Sequence, residues 1–169
     1  RNEKMREIKL DKVTLNIGAG TDEAKLLKAM KLLEVITGEK PVKTLAKKRI
    51  AAWKIRKGLP IGCKVTLRRK KATNLLPRLL EAIENKINAT QITTGGFSFG
   101  IREYIQIPDV PYQRDIPLLG LDVSVTFGRA GFRVAKKKVR RGKLPEKQRI
   151  TKEEVVDYLN KNLGINVEG

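Results

Sequence analysis

The chain has 169 residues, 40% of them hydrophobic, and its 37 Lys or Arg against 18 Asp or Glu give a formal net charge of +19. At that length one domain buries roughly 70% of its unfolded surface, which excludes a basic tail or a disordered peptide. One cysteine, Cys63, and no histidine exclude an internal disulfide and a zinc cluster, and no run approaches the roughly 18 apolar residues of a membrane helix.

Arg1 to Leu10 is charged rather than patterned as a signal peptide, so a soluble, cytosolic protein is expected. The opening at Arg1 fits a terminus that lies upstream or a processed start. From Lys12 to Ile17 the residues alternate, with Val13, Leu15 and Ile17 on one side and Lys12, Thr14 and Asn16 on the other, which predicts a strand with one buried face. Gly18-Ala19-Gly20 turns into a segment with Leu26, Ala29, Met30, Leu33 and Ile36 at helical spacing. Asp22 and Glu23 suit its positive N-terminus, and Gly38 supplies a stop. A second strand follows Pro41, through about Ala46. Ile61, Cys63, Val65 and Leu67 then alternate with Gly62, Lys64, Thr66 and Arg68, a strand whose polar side is basic.

Thr73 or Asn74 is expected to cap a second helix, with Pro77 in its first turn and Leu76, Leu79, Leu80, Ile83 and Ile87 inward. Gly95-Gly96 marks a turn, after which Phe97, Phe99 and Ile101 alternate with Ser98, Gly100 and Arg102. A connection punctuated by Pro108, Pro111 and Pro117 leads to a last strand, Leu121 to Phe127. Thr151 and Glu154 form a capping box, Ile150 and Val155 stand at the places of a hydrophobic staple, and the final helix ends near Gly164.

The order strand, helix, strand, strand, helix, strand, strand, helix predicts an α+β fold in one domain, residues 1–169. Its sheet is largely antiparallel, with helices packed on one face and the other face open. That open face would display Thr14, Asn16, Lys64, Thr66, Arg68, Ser98, Arg102 and Thr126. Strands favour threonine on solvated faces as well, but small hydroxyls and amides flanked by cations also suit an RNA backbone and its 2′-hydroxyls.

The charge is gathered rather than spread. Residues 40–71 hold thirteen Lys or Arg and no carboxylate, and residues 129–149 hold ten against the single Glu146. The other 116 residues carry 14 basic and 17 acidic side chains. Single-sign fields of this size oppose compaction unless a polyanion supplies the counter-charge, and nucleic acid is the first candidate. The second stretch offers Arg133, Lys136, Lys137, Lys138, Arg140 and Arg141. The first contains a predicted arm between the second and third strands, Lys47 to Pro60, in which Ile50, Trp53, Ile55 and Leu59 interrupt the cations. Folded back on itself, such an arm reaches roughly 20 Å at about 3.3 Å per residue, against about 15 Å for the radius of the body.

Other patterns read as structure. Gly18-Ala19-Gly20 resembles part of a dinucleotide loop, but Glu23 occupies the place of the third glycine, and Asp22 and Glu23 would oppose a pyrophosphate. Gly128-Arg129-Ala130-Gly131 matches the clamp of KH domains yet follows a strand. Phe97 and Phe99 share a face with Ile101, so they are expected in the core. Cys63 lies on the apolar face of its strand and lacks a histidine base. The acid pairs Asp22/Glu23 and Glu153/Glu154 sit in helix first turns. Nothing argues for an enzyme, a cofactor, a metal site, a membrane contact or a small-molecule substrate.

Taken together, KVTLNIGAG, LLEVITGEKPVKTLAKKRIAAWKIRKGLPIGCKVTLR, FSFGIREYI and LGLDVSVTFGRAGFRVAKKKVRRGK resemble the fifth large-subunit ribosomal protein family, the universal family that binds 5S rRNA. The resemblance spans almost the whole chain, and the Arg129 to Lys143 segment with its capped helix is similar to the archaeal branch. It implies a non-catalytic constituent of the large ribosomal subunit in the cytoplasm. Such a protein contacts 5S rRNA and adjacent large-subunit rRNA in the central protuberance, beside the ribosomal protein of the eighteenth large-subunit family. It also implies an rRNA-facing set of Asn16, Lys43, Thr44, Lys47, Lys48, Arg49, Lys64, Thr66 and Arg68. The arm, with Trp53, Lys54, Ile55 and Arg56 near its tip, would approach the elbow of P-site tRNA. A second reading of the residues is a free-standing RNA chaperone or regulator that stacks single-stranded RNA on exposed Phe97 and Phe99.

Overall fold

The computed structural model describes residues 3–168; Arg1, on which the reading of the terminus turned, lies outside them. The elements in chain order are α1 (Glu3–Arg6), β1 (Lys9–Gly18), α2 (Glu23–Thr37), β2 (Val42–Leu45), β3 (Pro60–Arg68), α3 (Arg69–Glu81), β4 (Lys86–Asn88), β5 (Ile92–Thr93), β6 (Gly96–Ile101), β7 (Leu121–Gly128), α4 (Arg133–Lys136), α5 (Lys152–Tyr158) and β8 (Asn166–Glu168). Six strands form one sheet in the order β2-β3-β1-β7-β6-β5, and every neighbouring pair is antiparallel. The predicted α+β class therefore holds.

Period-two alternation sorts the strands as the sequence requires. Val13, Leu15, Ile17, Cys63, Val65, Leu67, Val123, Val125 and Phe127 are buried in one continuous core with Leu26, Ala29, Leu33 and Ile36 of α2 and Leu75, Leu76, Leu79 and Leu80 of α3. Phe97 and Phe99 belong to it too, at 2% and 5% exposure, with Phe97 packed 6.0 Å from the ring of Phe99 and 5.9 Å from that of Phe127. Rings so buried offer no platform to a base, which removes the single-strand stacking reading.

The α2 helix follows its expected caps: the Asp22 side chain accepts from the Lys25 backbone N–H, and Gly38 ends the helix at φ 68°. Leu32 joins its buried face, while Met30 is only half-buried. The α3 helix departs from expectation. It begins at Arg69, immediately after β3, rather than at a Thr73 or Asn74 cap. The apolar series runs back through Leu75 to Ala72, so helical burial extends beneath the basic run from Arg68 to Lys71 and overrides the local cap signal. Pro77 then lies inside the helix, where it cannot donate to the carbonyl four residues back. Ile87 is buried from β4 rather than from the helix.

Three of the short strands were not expected. β4 and β8 form a separate parallel pair, with Ile87 opposite Val167, and β5 adds an edge of two residues. Strands of two or three residues are too brief to print an alternation. The proline-rich connection is also part of the core: Tyr104, Ile107, Ile116 and Leu119 are buried, and Arg78 of α3 donates to the Pro108 carbonyl at 2.7 Å. At the C-terminal end Thr151 and Glu154 make the expected reciprocal capping box, Ile150 and Val155 are buried, and Gly164 closes the last turn at φ 60°.

Candidate nucleic-acid interface

Strand register places the polar side chains of the bare sheet face in rows. One row runs Lys64, Asn16, Asp122; the next Thr66, Thr14, Ser124, Ser98; the third Arg68, Lys12, Thr126. Lys64, Thr66, Arg68, Asn16, Ser98 and Ser124 are exposed, and directly opposed side chains share a face. Thr44 extends this surface on β2 opposite Gly62. Glycine is needed there because a Cβ at position 62 would fall 2.7 Å from the Ile17 carbonyl and 2.9 Å from the Thr44 hydroxyl. Lys43, expected with this group, pairs with Cys63 instead. It is exposed on the helix-bearing side, because alternation carries it there and the edge strand has no outer neighbour to cover it.

The predicted arm is an ordered hairpin-like excursion. Ala46 and Leu59 are joined at its base by a 2.8 Å bond from the Ala46 N–H, and Ile50 and Ile55 exchange bonds of 2.9 and 3.0 Å further out. Between them Ala51–Trp53 forms a 3₁₀ turn, closed by Lys54 in the left-handed region at φ 55°. Trp53 is 67% exposed, whereas Ile55 is only 8% exposed. The expectation that Ile55 contacts a partner is therefore corrected: its side chain is buried, and its backbone exchanges the two bonds with Ile50 that close the arm. Lys47, Lys48, Arg49, Lys54 and Arg56 are all exposed, and among the described residues none of them lies in a salt bridge.

The second basic stretch is built differently. Arg133, Lys136, Lys137, Lys138, Arg140 and Arg141 are exposed, but Arg129 at its root is turned inward. Its Nε donates to the Arg6 carbonyl at 2.9 Å, Nη1 to the Arg149 carbonyl at 3.2 Å, and Nη2 to Glu154 Oε1 at 2.7 Å. Burial alone would raise the Glu154 carboxyl. The Arg129 hydrogen bond, the Thr151 N–H and the charges of Arg129 and Arg6 outweigh it and hold the group below the usual carboxylate range. Burial pushes the Cys63 thiol up to about 11, consistent with a structural rather than a reactive cysteine.

Among the described residues carboxylates do reach four cations of the two stretches: Asp11 contacts both Arg68 and Lys136, Glu39 contacts Lys71, and Glu154 contacts Arg129. The sequence reading missed Asp11 and Arg129. No local signal marks either, since their partners are 57 and 25 residues away. The turn at Gly18-Ala19-Gly20 is no phosphate loop, because the N–H groups of Ala19 and Gly20 both donate to the Ile61 carbonyl. Among the described residues no cluster of acids or cysteine could hold a metal ion, and no helix is long and apolar enough to cross a membrane.

A six-stranded antiparallel sheet with helices on one side, a bare face of small polar groups on the other and cations gathered at its margins defines an α+β protein with a basic, open sheet face. The family model described as ribosomal protein L5 matches residues 3–56, and the companion model for the C-terminus of the same ribosomal family matches residues 60–158. The large ribosomal subunit protein uL5 of Nanoarchaeum equitans is 48% identical over 164 residues, 96% of this chain and 97% of that protein. The uL5 proteins of Methanosphaera stadtmanae and Sulfurisphaera tokodaii are 46% and 42% identical, covering 93% and 96% of this chain and 94% and 93% of their own lengths. The chain belongs to the ribosomal protein L5 family, with archaeal relatives as the sequence implied, and is a protein of the large ribosomal subunit rather than an enzyme.

Proposed function

We propose that the chain acts as one domain that binds 5S rRNA and adjacent large-subunit rRNA in the central protuberance of the cytoplasmic ribosome. It stands there beside the ribosomal protein of the eighteenth large-subunit family, with its arm directed at P-site tRNA. The single-domain reading is supported by the sheet itself, since β1 and β2 from the first matched segment pair with β3 and β7 from the second. The observation that carries the RNA reading is the accessibility of the cations: most of the two basic stretches is exposed and unmatched by the described carboxylates, next to rows of small hydroxyls and amides.

In this reading Asn16, Thr44, Lys64, Thr66 and Arg68 lie against the RNA backbone. Lys43, Lys47, Lys48 and Arg49 neutralise phosphates at the sheet edge and the base of the arm, while Arg133, Lys136, Lys137, Lys138, Arg140 and Arg141 do so at the other margin. Trp53, Lys54 and Arg56 meet tRNA. Phosphate contacts make affinity steeply salt-dependent, so six to ten of them lower the 5S RNA association constant about a thousand- to a hundred-thousand-fold between 50 and 200 mM salt. A filter-binding titration tests this, and a flat salt response would overturn it.

A further inference from the structure

We propose that the bay at the sheet end, where β1 meets the second basic stretch, seats one phosphate of the bound RNA, and that Asp11, although negative, is the residue that arranges its cations. The inference rests on the RNA-binding reading above and adds to it a site and a positioning residue.

Asp11 owes its place to a β-bulge. In the β1–β7 ladder Leu10 opposes Phe127 and Lys12 opposes Thr126, which leaves Asp11 as an extra residue between them. Strict alternation from the buried Val13 would have turned Asp11 toward the core. The bulge re-aims it toward the bare face instead. There its Oδ1 lies 3.3 Å from Arg68 Nη1, and its Oδ2 meets Lys136 Nζ. Residues 11, 68 and 136 come from β1, β3 and α4, so a single carboxylate ties the bare sheet face to the second basic stretch.

The bay beside it has a volume of about 440 Å³ and is lined by Lys9, Arg68, Arg133 and Lys136 with the half-buried Phe132 ring. Among the described residues Asp11 is the only carboxylate in that lining. The Arg68 guanidinium commits one nitrogen to Asp11, and the Lys136 ammonium commits one of its three hydrogens. The remaining donors, on side chains that are each 56% exposed, are free for phosphate oxygens. Long cationic side chains lose much rotamer freedom when they grip a phosphate. A carboxylate that already holds two of them removes part of that cost before RNA arrives.

This makes a prediction opposite to simple charge counting. Asp11→Asn raises the net charge by one, and if charge alone mattered it would tighten RNA binding. If Asp11 positions the cations, the substitution disarranges at least one phosphate contact. At 0.1 M salt that costs about eightfold in affinity for 5S RNA and makes the log–log salt slope shallower by about 0.9. Asp11→Glu, which keeps the charge and can reach the same partners, should restore most of the affinity. The Arg68→Gln/Lys136→Gln double variant should bind about sixtyfold more weakly, with a slope shallower by about 1.8, since two contacts are lost.

Wild-type protein that fails to bind 5S RNA in a salt-dependent way overturns the functional reading itself. Wild-type binding with an Asp11→Asn protein that binds as tightly or more tightly overturns this inference alone. Should Asp11→Asn fail to fold, the double variant decides: unchanged affinity there means that no phosphate sits in the bay.

Discussion

Residues 40–71 and 129–149 read alike in composition, yet the fold treats their cations in different ways. In the first, the arm carries Lys47, Lys48, Arg49, Lys54 and Arg56 outward on a short hairpin whose own cohesion comes from Ile50, Ile55 and Ala46. The charges have no part in holding it. In the second, Arg129 is the buried root of the segment, with a side chain 5% exposed. Its fan of bonds gathers the end of α1, the residue before Ile150 and the first turn of α5 around one guanidinium. Gln148 adds bonds to the Met5 and Ala130 carbonyls. A basic stretch can thus be presented by a structure made of apolar residues, or it can give up one member to build the structure that presents the rest.

The contrast is sharpest when both roots are tested. Replacing Lys47, Lys48 and Arg49 together by alanine should leave thermal unfolding nearly unchanged, because exposed residues without partners seldom move stability by more than about 0.5 kcal/mol each. Affinity for 5S RNA, however, should fall by up to about 500-fold at 0.1 M salt, with a slope shallower by up to about 2.7, if each of the three neutralises one phosphate. Loss of folding in this variant would make the arm's cations structural and erase the comparison.

Arg129→Ala should do the reverse. Breaking a buried, hydrogen-bonded ion pair costs about 3–5 kcal/mol, and because Glu154 is 40% exposed and can be rehydrated, the low end, about 3 kcal/mol, is expected. For a chain of this size that lowers the melting temperature by about 6–12 °C. The anchor also gives acid sensitivity a sign. The Glu154 carboxyl is held below its ordinary range in the folded protein, so its stabilisation is whole above the unfolded-state value of about 4.3 and is lost as pH falls through the lower folded value. Denaturant melts across that window should show wild type and Arg129→Ala converging as the solution is acidified. Parallel curves would mean that the pair does not anchor the segment.

These two regions also show what the linear sequence discloses. The alternations around Val13, Cys63, Phe97 and Val123 were readable because each strand is long enough for period two to repeat and one face is uniformly buried. The caps at Asp22, Gly38 and Thr151 were readable because their partners lie within a few residues. Asp11 and Arg129 were not, since a bulge and a fan of long-range bonds exist only once β1, β3, β7 and α5 are assembled. Ile55 misled for a related reason: in a run of cations an isolated isoleucine looks like a contact residue, and only its burial in the folded arm shows it to be internal. Counting charges found the two basic stretches, and geometry was needed to find which of their charges are accessible.

The smallest effect belongs to the arm's tip. Trp53 is the only tryptophan in the chain and lies outside the core, so Trp53→Ala should change stability by no more than about 0.5 kcal/mol. Its fluorescence reports on this one place without added label. Free protein should show the red-shifted, readily quenched emission of a solvated indole. If the sheet face and the arm serve different partners, binding of 5S RNA should leave that emission almost unchanged, whereas assembly with large subunits carrying P-site tRNA should shield it from acrylamide. Full protection by 5S RNA alone would mean that arm and sheet grip the same RNA, and the division of the first basic stretch into a body-side and a tip-side contact would have to be abandoned.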